Sequence, residues 1–292
     1  PRSATVTLRL AARTYGDRDL LVMGIVNRTP DSFYDRGATY AFDAALDAAD
    51  RLLDEGADVL DVGGVKAGPG DDVDAAEEIR RVGPFIEALR DRHPDAVISV
   101  DTWRFEVGAV ACAVGADLVN DAWGGVDPRL AEVAAAAGAG LVCTHAGGAA
   151  PRTRPHRVAY DDVVADVIER TLTLVNRAVA LGVARESILV DPGHDFGKNT
   201  WHSLQITRRL DHLVATGWPV LVSLSNKDFV GETLDLPVGE RLVGTLATTA
   251  ISAWLGARVF RAHNVRETRQ VLDMVASIRG DRPPAVARRG LA

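Results

Sequence analysis

Lysine is almost missing from this sequence: Lys66, Lys198 and Lys227 are the only three in 292 residues, and arginine supplies the rest of the 33 basic side chains. There is no basic run, and with 40 acidic residues the net charge is −7. That argues against a nucleic-acid partner, which needs concentrated positive charge to neutralise phosphates. Cysteine is scarce too. Cys112 and Cys143 lie in apolar segments without Cys-x-x-Cys or Cys/His ligand spacing. This argues against a disulfide framework or a zinc site and predicts two buried thiols in a reducing compartment. No His-x-His or His-x3-His arrangement occurs, so histidine-based metal binding is only weakly supported. Long apolar runs are also lacking: none reaches the ~18 residues of a membrane span, and the first twenty residues have no signal-peptide core. A cytoplasmic protein with no membrane partner is expected.

What is present is an ordinary globular balance, 47% hydrophobic and 25% charged, enough for a sizeable core. After an alternating opening that reads as a β-hairpin, short apolar runs alternate with amphipathic helical patterns. The strand-like runs cover 20–27, 58–63, 96–101, 117–121, 140–145, 187–191, 219–224 and 258–263. Eight strand–helix units in about 250 residues predict an α/β fold, a (β/α)8 TIM barrel. A doubly wound open sheet is the alternative on this evidence. Several helices run into Gly-Ala-Asp or Gly-Ala-Arg before the next strand, a signal for a left-handed helix cap. The expected division is a hairpin at 1–19 belonging to the barrel domain, the barrel at 20–280 and a flexible tail at 281–292.

In such a barrel the C-terminal strand ends and following loops carry the active site. Polar residues stand there: Asn27, Asp61, Asp101, Asn120 with Asp121, His145, Asp191, Ser223 with Ser225, and Arg261 with His263. All three lysines also follow strands. Asp101, Asn120 and Asp191 end strands three, four and six. Carboxylates that accept paired hydrogen bonds, beside an amide that both donates and accepts, suit the edge of a 2-amino-4-oxo-pyrimidine such as a pterin or guanine. Capping of neighbouring loops is the plainer reading of the same three. His145 suits either a ligand contact or a structural bond. The segment "LVGTLATTAISAWLG" is apolar on more than one helical stripe, which means burial on both sides or a subunit interface.

The motifs "MGIVNRTPDSF", "SVDTW", "LVNDAWGG", "LVDPGHDFGK", "SNKDFVG" and "RAHNV" fall in order at successive strand ends. With them the chain resembles the dihydropteroate synthase family, pterin-binding barrels of folate biosynthesis, over about residues 20–280. The resemblance implies condensation of 6-hydroxymethyl-7,8-dihydropterin diphosphate with p-aminobenzoate, magnesium (Mg2+) on the diphosphate, and a homodimer. It implies pterin-edge contacts for Asp101, Asn120 and Asp191, and a Lys227 that reaches both the pterin and the p-aminobenzoate region. Arg261 and His263 match the family's anion-binding pair, so Lys227, Arg261 and His263 are the expected catalytic set. Asn27 corresponds to the residue that helps the metal and diphosphate, and Phe33 to one lining the aminobenzoate pocket. Ser225 lies where a helix N-terminus can receive a carboxylate.

Departures from the family pattern concentrate in the loops. After strand two the family has Gly-Gly-Glu-Ser-Thr-Arg-Pro-Gly, whereas here "GGVKAGPG" puts Val65, Lys66, Ala67 and Gly68 at the four polar positions. This glycine-rich loop also lacks the Walker phosphate pattern. Asn226 stands where an arginine is expected, Ser223 where a glycine is, Arg28 where a valine is, and Asn264 where an aspartate is. Loss of two arginines and a threonine removes roughly 3–6 kcal/mol of charge-assisted bonding, about a hundredfold to ten-thousandfold. Lys66 and Arg28 return charge but not a planar fork. The expectation is a synthase-like protein that keeps a pterin- or sulfa-type pocket and is inactive or strongly impaired, like the degenerate second copy some high-GC bacteria carry. An active synthase with a different loop solution and a non-catalytic folate-related binder are the alternatives. A pterin-binding methyltransferase ranks below them.

Overall fold

The computed structural model describes residues 7–29, 38–154 and 157–290, with side chains from 42 onward in the second segment. Phe33 lies outside the described residues. A two-stranded antiparallel hairpin, β1 (Leu8–Leu10) and β2 (Arg13–Tyr15), precedes the barrel. Eight parallel strands follow: β3 (Leu21–Asn27), β4 (Val59–Gly63), β5 (Val97–Asp101), β6 (Leu118–Asp121), β7 (Gly140–Thr144), β8 (Ile188–Asp191), β9 (Leu221–Ser223) and β10 (Val259–Ala262). They pair in the order β8-β7-β6-β5-β4-β3-β10-β9. A single bridge from Val190 to Val220 leaves the barrel nearly closed. β9 is shorter than the predicted 219–224 because Pro219 has no N–H to pair; its carbonyl accepts from Val190 instead.

Helices cover the outside: α1 (Ala38–Asp54), α2 (Ala75–Arg92), α3 (Phe105–Ala113), α4 (Arg129–Ala137), α5 (Val163–Leu181), α6 (Thr200–Arg208), α7 (Leu210–Val214), α8 (Asp228–Leu234), α9 (Leu242–Trp254) and α10 (Val265–Ile278). The Gly-Ala-Asp signal works as expected. Gly56, Gly115 and Gly256 have φ of 102°, 123° and 110°, and the aspartates that follow two of them brace neighbouring strands. Asp58 accepts from the Val22 N–H at 2.8 Å and Asp117 from the Ile98 N–H at 2.9 Å.

The core has two parts. One lies between sheet and helices and is built on residues such as Val22, Leu60, Val100 and Val119. The other lies inside the barrel, where alternate residues point inward. Each strand contributes at least one apolar side chain there, from Met23 on β3 to Val259 on β10, and Leu8 and Leu10 of the hairpin join them. The hairpin is tied to the N-terminal strand ends: the Ser187 hydroxyl donates to Arg9 O (2.8 Å) and Arg13 to Asp95 O (2.9 Å). It plugs the floor of the barrel, so the opposite end is the free mouth. Among the described residues no helix is long and apolar enough to cross a membrane.

Candidate functional site

Counting two residues up each strand from the apolar floor changes the chemistry. Val59 leads to Asp61, Val97 to Ser99 and Asp101, Leu118 to Asn120, Leu189 to Asp191, Leu221 to Ser223 and Val259 to Arg261. Period-two alternation therefore sends this polar set into one mouth. Asn27 has the same parity on β3, is half-buried and stands in register with Gly63.

Asp61 is the hub. Fully buried, it accepts from Arg261 Nε at 2.6 Å and from Asn120 Nδ2 at 3.0 Å. Arg261 Nη2 reaches Asp101 at 3.0 Å. Burial works against the Arg261 charge, but Asp61 and Asp101 outweigh it and hold the guanidinium firmly protonated. Burial raises the Asp101 carboxyl to about 7, with Arg261 opposing and Asp61 adding to the rise. Burial likewise raises Asp191, opposed by Lys227; burial lowers Lys227, opposed by Asp191. Asp191 accepts from Gly193 N–H at 2.7 Å, and Lys227 donates to His194 O at 2.7 Å with its ammonium 4.7 Å from the centre of the Phe196 ring.

Asp101, Asn120, Asp191, Lys227 and Arg261 thus share one neighbourhood. Ser225 and His263 form a second group at the rim: the Ser225 hydroxyl lies 2.9 Å from His263 Nδ1 and accepts from the His263 N–H at 3.2 Å. Other strand-end candidates take structural work. Asp121 caps its own loop by accepting from Trp123 N–H (3.1 Å) and Gly125 N–H (2.9 Å). His145 is buried with Nε2 2.6 Å from Asp166 and Nδ1 2.7 Å from Lys198, and burial lowers it to about 4, so it stays neutral. Its Nε2–H then donates to Asp166 while Nδ1 accepts from Lys198. The Lys198 ammonium also donates to the His145, Gly193 and Phe196 carbonyls at 2.9–3.0 Å. It stitches the 192–198 loop to β7.

Two features of the mouth are not evident in the sequence, the role of Asp61 as hub and the presence of Phe196. Asp61 is a strand-end aspartate that reads like several others. Phe196 sits in "DFGK", and its T-shaped contact with Trp123, at 4.7 Å, joins residues far apart in sequence. Arg28 does not return charge to the mouth: its guanidinium lies 4.9 Å from the Phe85 ring and 5.3 Å from that of Phe42, on the outer layer. Lys66 is exposed and has no hydrogen-bond or ion-pair partner among the described residues. Asn226 has φ 57°, a left-handed turn that asparagine tolerates well.

A nearly closed parallel barrel, plugged at one end and lined at the other by carboxylates, an amide and two cations, defines a small-molecule site of the (β/α)8 enzyme class. More narrowly, the chain belongs to the family described as pterin binding enzyme, whose model matches residues 23–263. It is 63% identical over 276 residues, 93% of this chain and 95% of the relative, to the protein named inactive dihydropteroate synthase 2 of Mycobacterium leprae. Identity to the dihydropteroate synthase of Escherichia coli is 38% over 255 residues, 87% of this chain and 90% of that one. The solved dihydropteroate synthase of Xanthomonas albilineans with 4-aminobenzoic acid superposes with a TM-score of 0.86 at 35% identity, covering 97% of this chain and all of that one. The expected likeness to these synthases, and to the inactive second copy among them, is met.

Proposed function

We propose that this protein binds a pterin ring at the barrel mouth and does not carry out, or carries out only feebly, the condensation of a pterin diphosphate with p-aminobenzoate. One observation carries the reading: the set Arg261–Asp61–Asp101–Asn120 is linked by hydrogen bonds, with Asp191 and Lys227 nearby, while positions 65–68 offer Val, a Lys without a partner among the described residues, Ala and Gly. The first set matches a ring edge that donates to carboxylates and exchanges bonds with an amide. The second has no planar fork for diphosphate or carboxylate. The name of the M. leprae relative supports the same reading.

In this reading Asp101, Asn120 and Asp191 hold the ring edge, Lys227 and Phe196 flank the ring, and Arg261 sets the Asp61 and Asp101 carboxylates. His263 and Ser225 line the outer rim. Magnesium fits only as an ion that arrives on a diphosphate. Asn27 would give it one neutral oxygen, whereas a resident Mg2+ site is normally built on one or two carboxylates, and among the described residues no cluster of three His, Cys, Asp or Glu is suited to a metal. Such an ion would neutralise diphosphate charge. We also read the protein as a homodimer: Val243, Ile251 and Trp254 are 77%, 52% and 59% exposed along one stripe of α9, and Met274 and Ile278 add to it from α10. A second copy covering this stripe would remove a continuous apolar strip from water.

Complementation of a strain lacking dihydropteroate synthase tests the reading. The native chain should not restore growth, whereas a chain carrying V65E, K66S, A67T, G68R and N226R should restore it at least partly. Growth on the native chain would overturn the proposal.

A further inference from the structure

The 145–154 stretch leaves β7, yet it bonds to the 64–74 loop after β4, three strands away round the barrel. It also reaches α8, which follows β9 on the other side. Such a path runs over the mouth. Arg152 is the tether: Nε donates to Gly68 O at 3.2 Å and Nη1 to Asp71 O at 2.7 Å. Its backbone has φ 62°, a left-handed conformation that an arginine keeps only where its surroundings hold it.

Arg154 is what the tethered loop presents. Its Nη2 lies 3.6 Å from the place a Cβ on Gly68 would take, and its Nη1 is 3.1 Å from Asp228 Oδ2. Gly68 and Asn226, the latter two residues before Asp228, are the positions where the sequence lacks the two expected arginines. A guanidinium from a third loop therefore stands beside Gly68 and against Asp228, two residues beyond Asn226. Asp228 is shared, since Arg241 Nη1 donates to its other oxygen at 3.0 Å. The Arg154 side chain is 69% exposed, so its ion pair is screened and easily exchanged for another anion.

We propose that Arg154, held by Arg152, is the specificity-determining cation of the mouth and takes a small oxyanion, an arene carboxylate or a diphosphate, outward from the ring pocket. The ring pocket itself rests on the reading given under Proposed function. Asp228 is the resting partner that the oxyanion displaces, with Arg241 retaining Asp228 afterwards.

The test is calorimetric titration of the full chain with pyrophosphate and with 4-aminobenzoate, each with and without saturating 6-hydroxymethylpterin. At least one oxyanion should bind. Arg154→Ala should weaken it about tenfold, the loss of one charge-assisted contact, with Arg154→Lys between the two. Asp228→Asn should strengthen it about threefold by freeing the guanidinium from a weak surface pair. Ring affinity should move less than twofold in every variant. The proposal is overturned if neither oxyanion binds, or if Arg154→Ala and Asp228→Asn both leave oxyanion affinity unchanged. If the ring fails to bind, the pterin reading falls, while pyrophosphate titration of the free chain still decides the role of Arg154.

Discussion

Asp101 sits in the mouth against Arg261, its carboxyl raised by burial to about 7, and Asp191 at the end of β8 is raised by the same cause. A ring edge rich in N–H groups needs these carboxyls as ionised acceptors. Below about pH 7 Asp101 takes a proton and ceases to accept on that oxygen, so ring affinity falls with acid and levels off in base. For one proton lost on binding, the change from pH 8 to pH 6 is about tenfold. Titration of 6-hydroxymethylpterin at both pH values should show it, and Asp101→Asn should flatten the profile; equal affinity at the two pH values would remove Asp101 from the ring contact. Asp101, Asn120 and Asp191 were legible because each ends an apolar run. Asp61 was visible for the same reason but not as the hub, because its partner Arg261 is 200 residues away. His145 and Asp121 look alike in sequence and turn out to be structural, since only tertiary contacts reveal that their polar atoms are already taken.

The hairpin at the chain's beginning is the element whose purpose the structure makes plain. Leu8 and Leu10 are buried with the inward residues of the barrel strands, so they close the floor rather than touch the site. Leu10→Ala should cost about 2–5 kcal/mol of stability, measured by denaturant unfolding, because a truncated floor leaves a cavity. Ring affinity of the folded variant should stay within about twofold, and a larger loss would mean that floor and mouth are coupled. The eight strands were readable in advance because a buried parallel strand is a short, continuous apolar run. Their polar ends and glycine-capped helices then fixed chain direction. What local pattern could not give was the course of the 145–154 stretch. The bonds from Arg152 to Gly68 and Asp71 span more than 80 residues of sequence and leave no periodic trace.

On the scale of the whole molecule, the barrel runs from an apolar floor to a charged mouth, where Asp61, Asp101, Asn120 and Arg261 are linked, while positions 65–68 after β4 carry Val, Lys, Ala and Gly in place of the Glu, Ser, Thr and Arg of the family pattern. The sequence departures lie on or just after β3, β4, β9 and β10, whereas Asp101, Asn120 and Asp191 end β5, β6 and β8. In the proposed reading this arrangement separates recognition from turnover: a first substrate would be held by the strand ends while the second would lack its usual loop. One measurement tests it most directly. 6-Hydroxymethyl-7,8-dihydropterin diphosphate is titrated into the protein by calorimetry, then 4-aminobenzoate is added and pyrophosphate release is followed. Saturable one-to-one uptake of the pterin is expected, with pyrophosphate release at least a hundredfold slower than for an active synthase, in line with ~3 kcal/mol of lost loop contacts. No uptake of the pterin, or release at the rate of an active synthase, would contradict it.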